Sequence, residues 1–163
     1  MIIAFGCDHS FFSDKDEIID FLKSKNCKVI DCGTYSCEST HYAIYGHKVA
    51  SLVALKKVDF GIVICGTNIG ISNSAQKTKG ARVVATRHPM IAIKARELYN
   101  ANILAIGGRV ISKNIILELI ESFLSTKYLH GQKDEIKLVD SLIKHDNFDS
   151  HIFDQHIKAL SKK

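Results

Sequence analysis

The sequence predicts a doubly wound α/β fold. Short β-rich runs, apolar throughout, recur along the chain, as they do in parallel strands buried on both faces. Between them lie longer stretches with the three- and four-residue apolar spacing of helices. Strands alternating with helices imply a parallel sheet covered on both faces by right-handed crossovers, a Rossmann-like layering of about five strands. The length of 163 residues suits one domain of this kind.

The first strand is expected at Ile2–Phe5. Asp14, with Glu17 three residues on, has capping-box spacing and opens a helix carrying Ile18, Phe21 and Leu22. Lys28–Asp31 is the second strand, and Tyr42 to Leu55 a helix with Val49, Leu52 and Val53 on one face. The third and fourth strands are Phe60–Cys65 and Arg82–Ala85. Pro89, suited to a first helical turn, opens a helix to about Tyr99. Ile103–Ile106 is the fifth strand, and Ser112 caps a helix bearing Ile115, Ile116, Leu119, Ile120 and Phe123. From about Gln132 to Lys163 the chain reads as a helical tail: a helix, a polar break at His145-Asp146-Asn147, and a shorter amphipathic segment. Ile152, Phe153, His156, Ile157 and Leu160 give that last segment an apolar stripe, expected to pack on a neighbouring subunit. Residues 1–163 are read as one domain.

Composition removes several classes. Hydrophobic residues make up 46% and charged residues 24%, which suits a packed globular chain rather than a disordered one. No apolar run reaches the roughly 20 residues of a spanning helix. The stretch Met1 to Gly6 has neither a basic leader nor a long apolar core, so a cytoplasmic protein without a membrane partner is expected. The five cysteines, an odd number, argue against a disulfide framework. Cys27, Cys32 and Cys37 have metal-like spacing, but the first two flank a strand that holds them apart, so free thiols and no metal are expected. The net charge of +5 is spread without an aromatic-interleaved basic stripe. That speaks against nucleic acid and for small anionic substrates.

In a doubly wound sheet, ligands bind beyond the carboxyl ends of the strands. Three strand ends carry suggestive residues: Gly6-Cys7-Asp8-His9, Cys65-Gly66-Thr67-Asn68-Ile69-Gly70-Ile71-Ser72, and Gly107-Gly108-Arg109. The second is a glycine-rich strand-to-helix turn whose N–H groups suit an anion, with Thr67 and Ser72 as hydroxyl donors. It is neither a dinucleotide fingerprint nor a P-loop. The same glycines also suit a tight turn that binds nothing. Cys65, at the strand end beside a helix N-terminus, is placed to act as a thiolate base next to a carbonyl, with the N–H groups and Thr67 on the developing enediolate. Its other reading is a small buried hydrophobe. Asp8 and His9 are a polar pair suited to sugar hydroxyl or phosphate contacts, or to a satisfied loop. The remaining histidines show no metal spacing and read mostly as surface residues.

Several blocks in order resemble the family of type B ribose-5-phosphate isomerases and galactose-6-phosphate isomerases. They are Ile2-Ile3-Ala4-Phe5-Gly6-Cys7-Asp8-His9, Asp31-Cys32-Gly33-Thr34-Tyr35, Gly61-Ile62-Val63-Ile64-Cys65-Gly66-Thr67, and Asn102-Ile103-Leu104-Ala105-Ile106-Gly107-Gly108-Arg109-Val110. The resemblance spans about Met1 to Tyr128. It implies aldose–ketose isomerisation of a phosphorylated sugar through an enediolate, without metal or organic cofactor, in sites built between two subunits. Cys65 then resembles the base that moves the proton between carbons 1 and 2. Thr67 and the N–H groups of Gly66, Asn68, Ile69 and Gly70 resemble the anion hole. Asp8, His9, Tyr42 and Arg109 resemble substrate contacts.

The departures are equally specific. Type B ribose-phosphate enzymes carry a His-Asn pair before the last strand, whose histidine helps open the sugar ring; here Leu98 and Tyr99 stand there. Their two phosphate-holding arginines, four apart, correspond to Lys133 and Lys137 once one residue is inserted. Lysine binds phosphate as a point charge, without the bidentate fork. The B-type subunit of galactose-6-phosphate isomerase shows the same loss, with an A-type partner supplying the histidine. It is similar also at Thr40-His41-Tyr42-Ala43-Ile44-Tyr45-Gly46, at Glu97-Leu98-Tyr99-Asn100-Ala101-Asn102 and in its long tail, while Ala43 and Asn68 replace its usual proline and glycine. Asparagine tolerates a left-handed backbone, so the turn at Asn68 survives. The resemblance thus implies a galactose 6-phosphate/tagatose 6-phosphate isomerase acting with an A-type partner. The alternatives are a homomeric dimer or tetramer acting on ribose 5-phosphate or a related sugar phosphate, with His88 or His130 in the missing acid's place or ring opening left to solution, and a non-catalytic sugar-phosphate-binding subunit.

Overall fold

A computed structural model describes residues 1–142. The expected break at His145-Asp146-Asn147 and the stripe from Ile152 to Leu160 lie outside the described residues. The strands are β1 (Ile2–Cys7), β2 (Lys28–Asp31), β3 (Phe60–Cys65), β4 (Val83–Ala85) and β5 (Ile103–Gly107). They form one parallel sheet in the order β2-β1-β3-β5-β4. The helices are α1 (Lys15–Ser24), α2 (Tyr42–Ala54), α3 (Ile69–Gln76), α4 (Pro89–Tyr99), α5 (Lys113–Ser125) and α6 (Lys133–Ser141). No helix among the described residues is long and apolar enough to cross a membrane.

The strands read as continuously apolar because their side chains alternate between two cores. Ile3, Phe5 and Cys7 of β1, Ile62 and Ile64 of β3, and Leu104 and Ile106 of β5 meet Ile18 and Leu22 of α1 and Leu119 and Phe123 of α5. Ala4, Val63, Cys65, Ile103 and Ala105 face the other way, under Val49 and Val53 of α2 and Ile71 and Ala75 of α3. On this second face α2 comes unusually close. A Cβ on Gly6 would stand 2.9 Å from Val49, and one on Gly61 only 2.5 Å from it. Val49 therefore fills the space two missing side chains leave. Cys27 and Cys32, flanking β2, fall in opposite cores, which accounts for two of the buried thiols.

Several helix starts use other devices than the sequence suggests. A short 3₁₀ helix, His9–Asp14, precedes α1 and was not foreseen. Asp14 stands at the N-cap of α1 but makes no capping bond. Instead Asp14 and Glu17 both hold Lys113 Nζ, at 2.9 and 2.7 Å. An ammonium is a stronger donor than a neutral N–H, so the capping box gives way to an ion pair with α5. Ser112 precedes α5 as expected, again without a capping bond. Two histidines read as surface residues are caps: His41 Nδ1 accepts from Ala43 N–H, and His88 Nδ1 from Met90 N–H, each at 3.2 Å.

Candidate active site

Strand order fixes where a crevice opens. β1 and β3 are neighbours, and the chain leaves β1 toward β2 on one side and β3 toward β4 on the other. Their carboxyl ends form the switch point of the sheet. β1 runs two residues further than expected because Cys7 pairs with Ile64 of β3 and exchanges bonds of 2.7 Å with Gly33 and Thr34. Asp8 therefore lands at the rim, its N–H donating to Ile64 O at 3.2 Å. Asp8 is 5% exposed, and its carboxylate accepts from the N–H (2.9 Å) and the hydroxyl of Ser10, capping the 3₁₀ helix. His9 Nδ1 accepts from Thr40 N–H at 3.2 Å. An accepting Nδ1 places the neutral ring's proton on Nε2, which makes that nitrogen a donor.

Cys65 ends β3, 4% exposed, on the α2/α3 face. Its carbonyl accepts from Gly108 N–H at 2.8 Å, and Gly66 O accepts from Arg109 N–H at 3.0 Å. A Cβ on Gly66 would lie 3.5 Å from Ser10 Oγ and 3.6 Å from Arg109 Cδ. All three strand ends singled out in the sequence thus converge at Gly66. Asn68 takes the left-handed conformation (φ 69°) and turns the chain into α3, as its side chain allows. The N–H groups from Gly66 to Gly70 have no acceptor among the described residues, which leaves a run of donors in front of α3. Thr67 is exposed, and Ile69, 63% exposed, forms the rim. The ring of Tyr42 covers Gly70, where a Cβ would stand 2.5 Å from its carbons. Ser72 is buried and its hydroxyl donates to Ile69 O at 3.0 Å. It braces the turn from behind rather than offering a proton to a ligand.

Tyr99, Lys133 and Lys137 lie elsewhere. α4 runs back against the strands, so its C-terminus arrives at the amino edge of the sheet. Tyr99 there lines a cleft with Arg82 and with Glu135, Ile136 and Val139 of α6. Lys133 and Lys137 are exposed on α6, and Lys137 pairs with Asp134 at 3.1 Å. The segment after α5 is tied to the same end: Leu129 N–H donates to Glu97 O at 2.9 Å, and a Cβ on Gly131 would touch Leu98 at 3.7 Å. The expected site residues therefore form two sets at opposite edges of one chain.

Two supports were missed by the sequence reading. Ser10 beside Gly66 was legible as the Asp-x-Ser turn following β1. Lys15, 4% exposed, donates to Thr34 O and pairs with Asp31, both at 2.6 Å, and so holds the segment after β2 against β1. No sequence signal marks a buried lysine in a helix's first turn. Burial pushes the Cys7 thiol up to about 12 and the Cys32 thiol up to about 11, from an ordinary 9.0. Both are neutral thiols packed in the cores.

Fold and crevice together define a class: a doubly wound enzyme with a thiol and a run of N–H donors at its switch point, suited to a small anionic substrate. The family model for ribose/galactose isomerases matches residues 3–141. The chain is 42% identical to galactose-6-phosphate isomerase subunit LacB of Clostridium acetobutylicum, over 97% of this chain and 94% of that one. It is 41% identical to ribose-5-phosphate isomerase B of Escherichia coli, over 82% of this chain and 89% of the other. A solved ribose-5-phosphate isomerase B from Clostridium thermocellum superposes with a TM-score of 0.86 at 38% identity, covering 88% of this chain and 98% of its own. The chain belongs to the ribose/galactose isomerase family and is an aldose–ketose isomerase of sugar phosphates.

Proposed function

We propose that the chain is the B-type half of a galactose 6-phosphate/tagatose 6-phosphate isomerase whose sites form between unlike subunits. The observation that carries this is the separation of the two sets of site residues. Cys65 and its N–H donors lie at the carboxyl edge, while Tyr99, Lys133 and Lys137 lie about the far end of α4. One site can use both sets only if a second subunit supplies one of them. Leu98 at that far end cannot transfer a proton, so the partner brings the ring-opening acid. Likeness to the LacB subunit over 97% of the chain supports the same assignment.

In the open-chain sugar, Cys65 Sγ removes the proton from carbon 2. The electron pair forms the carbon 1–carbon 2 double bond, and the aldehyde oxygen becomes an enediolate oxygen held by Thr67 and the N–H groups from Gly66 to Gly70. The same thiol returns the proton to carbon 1 as the carbon 2 hydroxyl passes its own to the carbon 1 oxygen, giving the ketose. His9 and Arg109 bind the phosphorylated chain, and Asp8 fixes the loop that carries His9.

One observation favours a second reading, a homomeric ribose 5-phosphate isomerase. His130 is exposed beside Tyr128 (ring centroids 4.5 Å apart), one residue from the Gly131 that faces Leu98. It is placed to act where the missing histidine would. Turnover of the purified chain on galactose 6-phosphate and on ribose 5-phosphate, alone and with an A-type subunit, separates the two. Activity on galactose 6-phosphate only after mixing is expected. Robust ribose 5-phosphate turnover by the lone chain would replace the first reading with the second.

A further inference from the structure

A second cavity opens at the amino edge of the sheet, across from the Cys65 crevice. Its volume is about 790 Å³, within the usual range of small-molecule sites. Arg82, Arg96, Lys56, Asn100 and Asp59 are among the residues lining it. Arg96 is 5% exposed, its guanidinium lying over Phe60 (4.4 Å) and Phe123 (5.6 Å). One Nη donates to Asn100 Oδ1 at 3.0 Å and to Ala101 O at 2.6 Å. Its enclosed Nε has no acceptor, and no carboxylate pairs with it among the described residues. Burial, with the charge of nearby Arg82, holds the Arg96 pKa below its usual value.

Arg82 donates its Nε to Asn100 O at 2.9 Å and one Nη to Asp140 at 3.3 Å. The other Nη of each arginine has no acceptor among the described residues. Asp59, the carboxylate on the cavity wall, accepts from Ile2 N–H at 2.6 Å. Stacking on two phenylalanines and closing the end of α4 explain why Arg96 is buried. They leave its charge without a paired carboxylate among the described residues, in a cavity that Arg82, itself paired with Asp140, and Lys56 also line. A buried cation without a counter-charge is costly, and a like charge adds to that cost. A bound anion relieves both, and two planar forks suit phosphate oxygens.

We propose that the amino-edge cavity binds a small phosphorylated anion, with Arg82 and Arg96 on the phosphate and Lys56 at the mouth. This site is separate from the Cys65 crevice and does not rest on the choice of sugar. The test is a titration of the full chain with inorganic phosphate, following the arginine side-chain N–H signals by NMR. The Arg96 signal is expected to shift saturably, and Arg82→Gln to weaken that titration about tenfold. Lys56→Gln, at an exposed position, is expected to weaken it about threefold and to leave turnover within about twofold. An Arg96 signal that does not move with phosphate, or one whose titration neither variant alters, overturns the proposal. So does loss of turnover in Lys56→Gln, which would assign the cavity to the isomerase site.

Discussion

Cys65 is one of four buried cysteines, distinguished by its place at the end of β3 among the convergent loops. Cys65→Ala is expected to lower turnover of the assembled enzyme by about a hundredfold to ten-thousandfold, the range a positioned base contributes. Its melting temperature should stay close to that of the parent. Turnover within a few-fold of the parent would place the base elsewhere. Gly70 is constrained in a different way, since the Tyr42 ring occupies the space of its missing side chain. Gly70→Ala should cost about 1–3 kcal/mol by overpacking. Gly70→Ala combined with Tyr42→Leu should recover much of that loss in a denaturant melt; equal stability of the two variants would show that the ring does not constrain the site. At this scale much of the crevice was legible: Cys65, Thr67, Asp8, His9 and Arg109 sit on strand ends, where the fold class alone directs attention. Ser72 was misplaced because sequence shows a hydroxyl but not the carbonyl it turns toward. The capping roles of His41 and His88 were hidden for the same reason.

Among elements, the strand-to-helix turn after β3 and the support beneath β2 can be tested by unfolding. Asn68 holds a left-handed conformation, so Asn68→Ala should cost about 1 kcal/mol and Asn68→Gly little. Equal effects would mean that the backbone there relaxes. Lys15 joins α1 to the segment after β2 through Asp31 and Thr34. Lys15→Met should cost about 2–3 kcal/mol in a urea titration, toward the low end for a buried pair because Asp31 is a third exposed. A loss under about half a kcal/mol would make the ion pair incidental. Strands were the most legible elements, since a parallel strand buried on both faces has a nearly unbroken apolar sequence. The 3₁₀ helix and the failed capping box were not, because both depend on partners far along the chain, such as Lys113.

For the whole molecule, the two buried thiols Cys7 and Cys32 set an alkaline limit. Their folded pKa values, about 12 and about 11, lie above the ordinary 9.0. Folding therefore favours the protonated thiols. That stabilisation is fully present below pH 9.0 and is lost as pH rises toward 11 and 12. The melting temperature should fall across that window, and Cys7→Ala and Cys32→Ala should each flatten the fall. An unchanged slope in both variants would assign it to other groups. The architecture was foreseen from alternation, but the strand order was not. Nothing local in the sequence says that β5 inserts between β3 and β4, and it is this insertion that brings Arg109 beside the β1–β3 switch point.

The opposition of the two edges bears on how such chains diverge. A substitution at the end of α4 leaves the loops around Cys65 untouched, and the reverse holds equally. Each edge is thus free to drift under its own selection. When a gene of this kind is duplicated, one copy can decay at one edge and its sister at the other, and thereafter neither survives without the other. On the proposed reading of two unlike subunits, Leu98 in a chain that retains Cys65 is the trace such a history would leave.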